Sequence, residues 1–458
     1  MLHSLWWESS AADMDRELDL AHEAGASAVR VDVQWSSLET AGKGARSGWY
    51  LDKLDRFMAG AERRGLKVIA MLWSTPCWAS TAPETLRQGC TGAWWERGVD
   101  SYPPRNAGDY ADVAAFVARR YGSALAALEV WNEPNLDEGT FWKAEDKPEA
   151  YAALLRAAFP AVKAADPDVA VLAGALAFAD RPFLEALYAH GIRGSYDGIS
   201  LHPYNEWRHP GDRWRPEWRE YTFLPGLESI RAAQEQAGDR APLWITEFGW
   251  TACREGGWCV SESQQAEYIR AAFHILEGLD FVEAAIVYNL RDKGTDGGKE
   301  SNWGVVRRDF SPKPAYAALT ASLRGEPFPP GVAGQGSVPL PAVAPPDGRP
   351  RAGAAVRRLV RPGRRRPVRH RPVRLRMRQR HGTVFATGSG PARRRLRMRI
   401  SRCPARRTMW VRVDRGGHFR RRLGRVTRLR YCWVSVRLPV RSGRARSARA
   451  VRGGPSRL

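Results

Sequence analysis

The sequence predicts an α/β fold: a (β/α)8 barrel, followed by a Pro/Gly-rich linker and a small Arg-rich β-sandwich. In the first 320 residues, short apolar runs alternate with helical patterns, which is typical of βαβ units and a parallel sheet. Several runs are apolar throughout, such as VIAML at 68–72, as expected for strands covered on both faces. After residue 373 the apolar period changes to two, which is typical of antiparallel strands with one wet face.

Eight apolar runs are the predicted barrel strands: 2–6, 28–34, 67–73, 126–131, 169–174, 197–202, 243–247 and 284–289. Amphipathic patterns between them predict helices, for example over 107–121 and over 148–165, which begins with Pro148. Eight strands with intervening helices within about 320 residues match a (β/α)8 barrel. An open, doubly wound sheet is the alternative, but no glycine-rich phosphate loop follows the first run.

The charge of the chain is divided between two regions of opposite sign. The net charge of +23 over 458 residues comes from residues 321–458, which hold 38 arginines, no lysine and three acids; the first 320 residues carry −12. We therefore predict a barrel domain over 1–324, a linker rich in Pro, Gly and Arg over 325–372, and an Arg-rich module over 373–458. No run approaches the ~20 apolar residues of a membrane span, so no transmembrane segment is expected.

The Arg-rich module shows the alternation of β-strands. Leu396, Met398 and Ile400 alternate with arginine, and residues 414–417 (DRGG) have the composition of a hairpin turn. We predict a β-sandwich with arginine on its wet face, and a disordered basic tail is the alternative. Arginine attracts polyanions, and the lack of a nucleic-acid-binding motif favours an anionic cell-wall or extracellular polymer over nucleic acid as its partner. A solvated charge run with no specific ligand is the alternative.

The six cysteines form three local pairs, Cys77 with Cys90, Cys253 with Cys259, and Cys403 with Cys432. This arrangement predicts disulfides and an oxidising compartment. Metal binding and free thiols are the alternatives, but no C-x-x-C or Cys/His cluster supports a metal, so we expect neither metal nor cofactor. The chain opens almost directly into the first predicted strand without a signal peptide, so an extracellular or cell-wall location is inferred from the cysteines alone.

Tryptophan is concentrated in the barrel domain, where 17 of the 19 occur within the first 320 residues. Many lie in predicted loops, where an exposed indole is costly unless something stacks on it, and the flat faces of sugar rings are one such partner. Trp35, Trp73 and Trp250 follow predicted strands and are candidates for stacking on sugars. Each can equally be a packing residue.

Two glutamates stand at the ends of predicted strands. Glu133 lies in LEVWNEPN (128–135), after the fourth strand, and Glu247 lies in LWITEFGW (243–250), at the end of the seventh. The carboxyl ends of barrel strands face the active site, so the two carboxylates are expected to share one cavity. Cleavage of a glycosidic bond requires such a pair, one to protonate the leaving oxygen and one to attack the anomeric carbon or activate water. A solvated Glu133 and a structural pair of Glu247 with Arg30 are the alternatives.

The WNEPN and ITEFGW motifs, with His202-Pro203-Tyr204 between them, resemble clan A of the glycoside hydrolases. The likeness is closest to family 39-like enzymes, with family 5 a near neighbour. The three motifs occur in order on the fourth, sixth and seventh predicted strands, and the likeness extends to the SPKPAY run at 311–316 but not into the tail. It implies a (β/α)8 glycosidase that retains anomeric configuration through a double displacement.

The resemblance also implies roles for individual residues. Glu133 is the expected general acid/base and Glu247 the expected nucleophile. Supporting contacts are implied for Asn132 with the sugar 2-hydroxyl, for His202 with the sugar, for Tyr204 with the nucleophile, and for Arg30, which keeps the nucleophile ionised. A satisfied core residue is the alternative for His202. Where the family often has a tryptophan platform this sequence has VYNLRD, so Tyr288 or Trp303 is expected to replace it.

We therefore expect a retaining hydrolase of a β-linked poly- or oligosaccharide. The many loop tryptophans favour endo action in an extended cleft, and an exo-acting β-xylosidase-like enzyme is the closest alternative. A non-catalytic polysaccharide-binding or cell-wall-associated barrel is the alternative from another class. The presence of both glutamates together with Asn132, Tyr204 and Arg30 argues against lost catalysis.

Overall fold

The computed structural model describes residues 1–136, 141–213 and 222–326 with their side chains, and the backbone of seven strands between residues 374 and 448. The chain divides into two compact units, Met1–Asp347 and Gly348–Leu458. The predicted linker over 325–372 lies almost wholly outside the described residues, so its boundaries stay a prediction.

The first unit contains a curled parallel sheet of seven strands in sequential order. The strands are β1 (Ala28–Gln34), β2 (Lys67–Trp73), β3 (Leu125–Val130), β4 (Ala170–Ala177), β5 (Gly198–His202), β6 (Leu243–Phe248) and β7 (Val282–Val287). Each pairs in parallel with the next, as Val31 with Ala70 between β1 and β2. This order confirms the predicted α/β barrel, and each strand falls within a few residues of its predicted run.

The first predicted strand, 2–6, is wrong in extent because only Leu2 joins the sheet. Its N–H donates to the Arg30 carbonyl at 2.9 Å, and it forms a single parallel bridge with Val31. On the other side, the Met1 carbonyl accepts from the Leu290 N–H at 3.1 Å. Residues 1–2 therefore lie between β1 and the segment that follows β7, in the place of the missing strand.

Two contacts take the chain out of the sheet after Leu2. The Ser4 hydroxyl donates to the Glu17 carboxylate at 2.5 Å, on a helix outside the sheet. The Trp6 N–H turns back to the His3 carbonyl at 3.1 Å, which closes a turn instead of a ladder. His3 and Trp6 are thereby brought to the mouth of the barrel, close to the end of β7.

Helices connect the strands: α1 (Ala11–Glu23), α2 (Trp35–Leu38), α3 (Gly48–Arg63), α4 (Glu84–Arg87), α5 (Ala107–Tyr121), α6 (Lys147–Ala165), α7 (Arg181–Ala189), α8 (Leu224–Gln236), α9 (Glu262–Gly278) and α10 (Pro314–Arg324). Capping fixes where several of them begin. In α1, Ser10 and Asp13 form a reciprocal capping box, and Ser261 with Gln264 does the same for α9. The predicted helices over 107–121 and 148–165 are α5 and α6.

Most of the sheet is buried on both faces, which is why most positions in its strands are apolar. β4 is buried along its whole length, and the five central residues of β1 and of β2 are buried too. A charged side chain inside such a strand needs a partner there. Among the helices of the described residues, none combines the length and apolarity that crossing a membrane requires.

The second unit contains antiparallel strands. They are β8 (Arg374–Arg380), β9 (Thr383–Ser389), β10 (Arg395–Ser401), β11 (Arg407–Arg412), β12 (His418–Arg425), β13 (Trp433–Arg437) and β14 (Ser447–Ala448). One sheet has the order β12-β9-β8 and the other the order β11-β10-β13-β14. The predicted turn at 414–417 and the predicted pair Cys403 with Cys432 lie outside the described residues. The β-sandwich stays a prediction.

Candidate active site

Ionisable side chains from four strands meet inside the barrel. Arg30 lies on β1, Glu129 on β3, His202 at the end of β5 and Glu247 near the end of β6. Because all four strands are parallel, their carboxyl ends open at one mouth of the barrel. The loop after β3 adds Glu133 at the same mouth.

The WNEPN segment leaves β3 through a strained turn. Trp131 and Glu133 have φ values of 69° and 43°, in the left-handed region that side chains seldom adopt. The Glu133 N–H donates to the Ala175 carbonyl at 3.0 Å. Asn135 clamps the end of β4, donating to the Ala177 carbonyl at 3.0 Å and accepting from the Ala177 N–H at 2.9 Å. These bonds to β4 fix the backbone from which the Glu133 carboxylate projects.

Both oxygens of the Glu247 carboxylate accept hydrogen bonds. Oε1 accepts from Nη1 of Arg30, and Oε2 accepts from the Tyr204 hydroxyl at 2.7 Å. Burial acts to raise the pKa of Glu247, but the charges of His202 and Arg30 and the Tyr204 hydrogen bond outweigh it and lower the pKa below its ordinary value. Glu247 is therefore held as a carboxylate, the form that can act as a nucleophile.

The Tyr204 hydroxyl is held as a donor to Glu247. Burial, and then the negative charge of Glu247, raise the pKa of Tyr204 well above its ordinary value. The phenol therefore keeps its proton and gives the hydrogen bond to the nucleophile. This is the contact that the family resemblance implied.

His202 lies between the two carboxylates. Its Nδ1 is 2.8 Å from Oε1 of Glu133 and 3.8 Å from Oε2 of Glu247. The side chain is fully buried, and Nε2 has no hydrogen-bond partner among the described residues. When Nδ1 carries the proton it donates to Glu133. His202 therefore orients Glu133 and contributes to the field around Glu247.

Arg30 connects the nucleophile to two further side chains. Its Nε donates to Glu129 at 2.6 Å, and its Nη2 donates to Oδ1 of Asn132 at 3.0 Å. Burial acts to lower the pKa of Arg30, but the charges of Glu129 and Glu247 raise it, so the guanidinium stays charged. Because Oδ1 of Asn132 is occupied by Arg30, the Asn132 NH2 group is the end that can donate to a ligand.

Glu133 and Glu247 lie close enough to act on the two atoms of one bond. One ligand atom each of Glu133, His202 and Glu247 lies within 4.8 Å of the other two, a set that can also hold a cation. Both Glu247 oxygens, however, already accept from Arg30 and Tyr204. An ionised carboxylate facing a second carboxyl group at this distance is suited to nucleophilic and acid/base chemistry at an acetal carbon.

Trp35 and Trp250 lie in the core beneath the site. Their side chains are 0% and 1% exposed. Nε1 of Trp35 donates to Glu39 at 3.0 Å, and Nε1 of Trp250 donates to the Arg208 carbonyl at 3.0 Å. Neither ring offers an open face for stacking on a sugar, so the predicted stacking role does not fit their positions. They pack the barrel instead.

The aromatic residues Trp73, Tyr288 and Trp303 are distributed around the mouth. Trp73 is half-buried, with its ring edge-on to Phe141 at 5.5 Å. Tyr288 follows β7, and its ring lies 6.2 Å from that of Tyr204. Trp303 is 4% exposed and packs at 5.2 Å against Tyr204. Of the two candidates for the missing platform, Tyr288 is the more accessible.

Glu129 and Asn135 were not among the predicted site residues. Glu129 is fully buried in the apolar strand LAALEV and holds Arg30, while its Oε1 has no partner among the described residues. A lone acid within a buried strand indicates that an oppositely charged partner lies nearby, because a buried charge needs a partner. Asn135 carried no comparable signal, because its role depends on the backbone of β4.

Two disulfides brace loops at the mouth of the barrel, with the pairing that the sequence predicted. Cys77 and Cys90 join within the loop that follows β2, with their Cα atoms 5.6 Å apart. Cys253 and Cys259 join within the loop that follows β6, with their Cα atoms 4.9 Å apart. Both crosslinked loops lie at the carboxyl side of the sheet, where the candidate catalytic residues are.

A comparison with protein families finds one family that matches the central part of the chain. The family described as "Glycosyl hydrolase catalytic core" matches residues 111–307. This segment contains Glu133, His202 and Glu247. A search of the curated proteins finds no match.

Solved structures share the barrel. A family 39 glycoside hydrolase from the gut symbiont Bacteroides cellulosilyticus WH2 matches with a TM-score of 0.52 and 18% identity, covering 90% of this chain and 76% of that chain. The family 39 enzyme from Xanthomonas axonopodis pv. citri gives 0.51 and 14%, covering 90% and 88%. A family 39 β-xylosidase from Caulobacter crescentus gives 0.51 and 16%, covering 85% and 78%. At these identities the likeness establishes the fold.

Proposed function

Because this chain is a glycosidase whose barrel carries a glycosyl hydrolase catalytic core, we propose that it hydrolyses a β-linked poly- or oligosaccharide by a retaining double displacement. Glu247 is the nucleophile and Glu133 the general acid/base. The observation that carries the proposal is that the two glutamates lie close together but have different contacts. Arg30 and Tyr204 donate to the two oxygens of Glu247, while Glu133 contacts His202.

In the first step, Glu247 attacks the anomeric carbon of the bound sugar. The bond from that carbon to the leaving oxygen breaks, and Glu133 gives its proton to that oxygen. A covalent glycosyl-enzyme results. Arg30 and Tyr204 support this step because they hold the Glu247 carboxylate ionised and in one orientation.

In the second step, Glu133 acts as a base. It takes a proton from water, the resulting oxygen attacks the anomeric carbon, and the bond to Glu247 breaks to regenerate the carboxylate. The backbone bonds of the loop after β3 keep Glu133 in place for both steps. Asn132, with its Oδ1 on Arg30, presents its NH2 group to the sugar 2-hydroxyl, a contact that strengthens in an oxocarbenium-like transition state.

The spacing of the carboxylates supports retention over inversion. Inverting enzymes separate their carboxyl groups by about 6.5–9.5 Å so that a water molecule fits between the general base and the sugar, while retaining enzymes need only about 5–5.5 Å. One carboxylate oxygen of Glu133 lies within 4.8 Å of one of Glu247, and this short spacing supports the retaining arrangement. The name of the Caulobacter crescentus relative, a β-xylosidase, supports a β-linked substrate.

The stereochemistry of the first product tests this proposal. We expect hydrolysis of a nitrophenyl β-glycoside to release the β-anomer first, as followed by proton NMR before mutarotation. Release of the α-anomer would mean inversion and would refute the double displacement. Polysaccharides that are bound but never cut would instead support the non-catalytic barrel.

Two further proposals concern the location of the protein and a polyanionic partner. We propose that the protein acts outside the cell or at the cell wall, which the two disulfides support because such bonds persist in oxidising compartments. We also propose that the Arg-rich region binds an anionic cell-wall or extracellular polymer. Its support is the concentration of 38 arginines in residues 321–458.

A further inference from the structure

Two exposed tryptophans are attached at neighbouring points on the rim of the barrel. Trp7, in the N-terminal segment, is 80% exposed, and Trp49, near the start of α3, is 58% exposed. Nζ of Lys53 donates to the Trp6 carbonyl, which belongs to the Trp6–Trp7 peptide group, and lies 5.8 Å from the centre of the Trp49 ring. We call Trp7 and Trp49 the rim pair. Because α3 follows β1, its first turn lies at the carboxyl side of the sheet.

Hydrogen bonds fix the backbone beneath the rim pair. Nζ of Lys53 also donates to the Ser9 carbonyl at 3.0 Å, and the Ser9 N–H donates to the Trp6 carbonyl at 3.0 Å, so the N-terminal turn is closed and attached to α3. The Ser47 hydroxyl caps α3 and accepts from the Tyr50 N–H at 3.4 Å. Both rings therefore project from ordered backbone, and a ligand that stacks on them does not have to order a loop first.

The rim pair is directed to solvent and not to the interior of the barrel. Nε1 of Trp6 donates to Oδ2 of Asp32 on β1 at 2.5 Å, so the Trp6 side chain points to the barrel, while the next residue along the chain, Trp7, is exposed. Trp49 likewise lies on the outer side of α3, whose buried side chains include Leu54. A ligand on the rim pair therefore lies outside the space between the two candidate catalytic glutamates.

Tryptophan alone makes up the large exposed apolar side chains of the described residues. There are four, and they are Trp7, Trp49, Trp95 and Trp207. No leucine, isoleucine, methionine or phenylalanine is exposed in the same part of the chain. Contacts with lipid and with permanent protein partners use large aliphatic side chains as well. The composition of this surface therefore favours a ligand that binds flat aromatic rings.

The size and the surroundings of the rim pair also fit a sugar better than a protein. Two partly exposed indoles offer about 300 Å² together, against about 800 Å² per partner in a stable protein interface. Glu8, next to Trp7, and Asp52, one turn along α3 from Trp49, are exposed carboxylates that a protein partner would bury at a cost. A sugar ring covers an indole with its C–H face and directs its hydroxyl groups outward, where carboxylates and water accept hydrogen bonds.

Resting on the proposed function, we propose that the rim pair is a second carbohydrate-binding site, which holds an uncharged stretch of the polysaccharide outside the catalytic space. The ligand is uncharged because Glu8 and Asp52 would repel an anionic sugar. A chain held at the rim raises the effective concentration of its glycosidic bonds at the mouth of the barrel. The rim pair therefore assists the hydrolysis of a polymer and has no effect on a small glycoside, which occupies the catalytic space alone.

The test measures binding of the full chain to insoluble xylan, mannan and cellulose by co-sedimentation. The protein carries Glu247→Gln so that the polymer is not cut, and about 0.5 M sodium chloride screens the charge of the Arg-rich region. On the polymer bound most tightly, we expect Trp7→Ala and Trp49→Ala each to raise Kd roughly 3- to 10-fold, and Trp7→Tyr, which keeps a flat ring, to raise it less. Trp95→Ala is the matched control, because Trp95 is 54% exposed on the loop after β2.

The outcomes separate this inference from the proposed function. With Glu247 intact, the double variant Trp7→Ala/Trp49→Ala should keep kcat/KM on an aryl β-glycoside within about twofold, while its rate on the polymer falls. The inference is overturned if none of the three polymers is bound, if Trp95→Ala weakens binding as much, or if the double variant changes the oligomeric state in sedimentation velocity and not the binding. If the wild type cleaves no glycoside of any kind, the proposed function fails, and the binding assay still decides the inference.

Discussion

Replacing Glu247 by alanine is expected to lower kcat/KM by about 10⁴-fold or more, because no other group can form the covalent intermediate. The side chains around it do not offer a substitute: Arg30 and Tyr204 are donors, and His202 is engaged with Glu133. Initial rates on an aryl β-glycoside measure the loss. Glu255→Ala, an exposed glutamate on the loop after β6, is the matched control and should keep its activity.

The same variant allows a positive test of the role of Glu247. Azide can enter the space left by the side chain and attack the anomeric carbon directly. The product is then an α-glycosyl azide, inverted relative to the β-glycoside substrate. Turnover of Glu247→Ala within tenfold of the wild type without azide would be incompatible with the proposed nucleophile.

Replacing Glu133 by alanine is expected to make turnover depend on the leaving group. With a poor leaving group such as a sugar, kcat/KM should fall by about 10²–10⁴-fold, because protonation of the leaving oxygen is lost. With dinitrophenolate, which leaves without protonation, the first step should stay fast and the glycosyl-enzyme should accumulate. Stopped-flow release of dinitrophenolate would then show a burst followed by a slow phase.

Two further observations check this expectation. Azide should speed the slow phase and give a β-glycosyl azide, the opposite anomer to that from Glu247→Ala. Glu145→Ala, an exposed glutamate ahead of α6, is the control and should show neither effect. Equal losses for sugar and dinitrophenolate leaving groups would argue against Glu133 as the general acid.

The barrel could be predicted from the sequence because its strands are buried on both faces. A run such as VIAML in β2 is easy to recognise, since a strand covered by helices on both faces has apolar residues at most of its positions. The first predicted strand failed for a reason that is not local. The sequence pattern does not distinguish Leu2, which joins the sheet, from Trp6, which does not. The Ser4 hydroxyl donates to Glu17, and the chain turns before further strand pairing can form.

The candidate catalytic pair was predictable because each glutamate sits in a motif at a strand end. The tryptophans predicted to stack on sugars were harder to place from the sequence. Trp35 follows β1 as predicted, but it begins the short helix α2 and its ring is directed into the core. A residue at a strand end has its backbone at the mouth of the barrel, but its side chain can still point into the core.

The contact between the N-terminal segment and the segment that follows β7 could not be predicted. His3 and Tyr288 are 285 positions apart, and only closure of the barrel brings their rings to 5.6 Å. Asp32, an acid within a buried strand, indicates that a partner exists, but only the fold shows that Trp6 donates to one of its oxygens and that His3 lies beside the other. Such sites depend on contacts between elements, which composition and periodicity do not record.

The central claim is a covalent bond between Glu247 and the substrate, and trapping that bond tests it most directly. The measurement is the intact mass of the wild-type protein after incubation with 2-deoxy-2-fluoro-β-glycosides of several sugars that carry a good leaving group. We predict a gain of one fluoroglycosyl unit, mapped by peptide sequencing to Glu247 and absent in Glu247→Gln. A unit attached to any other residue, while the enzyme turns over the parent glycoside, would contradict the account.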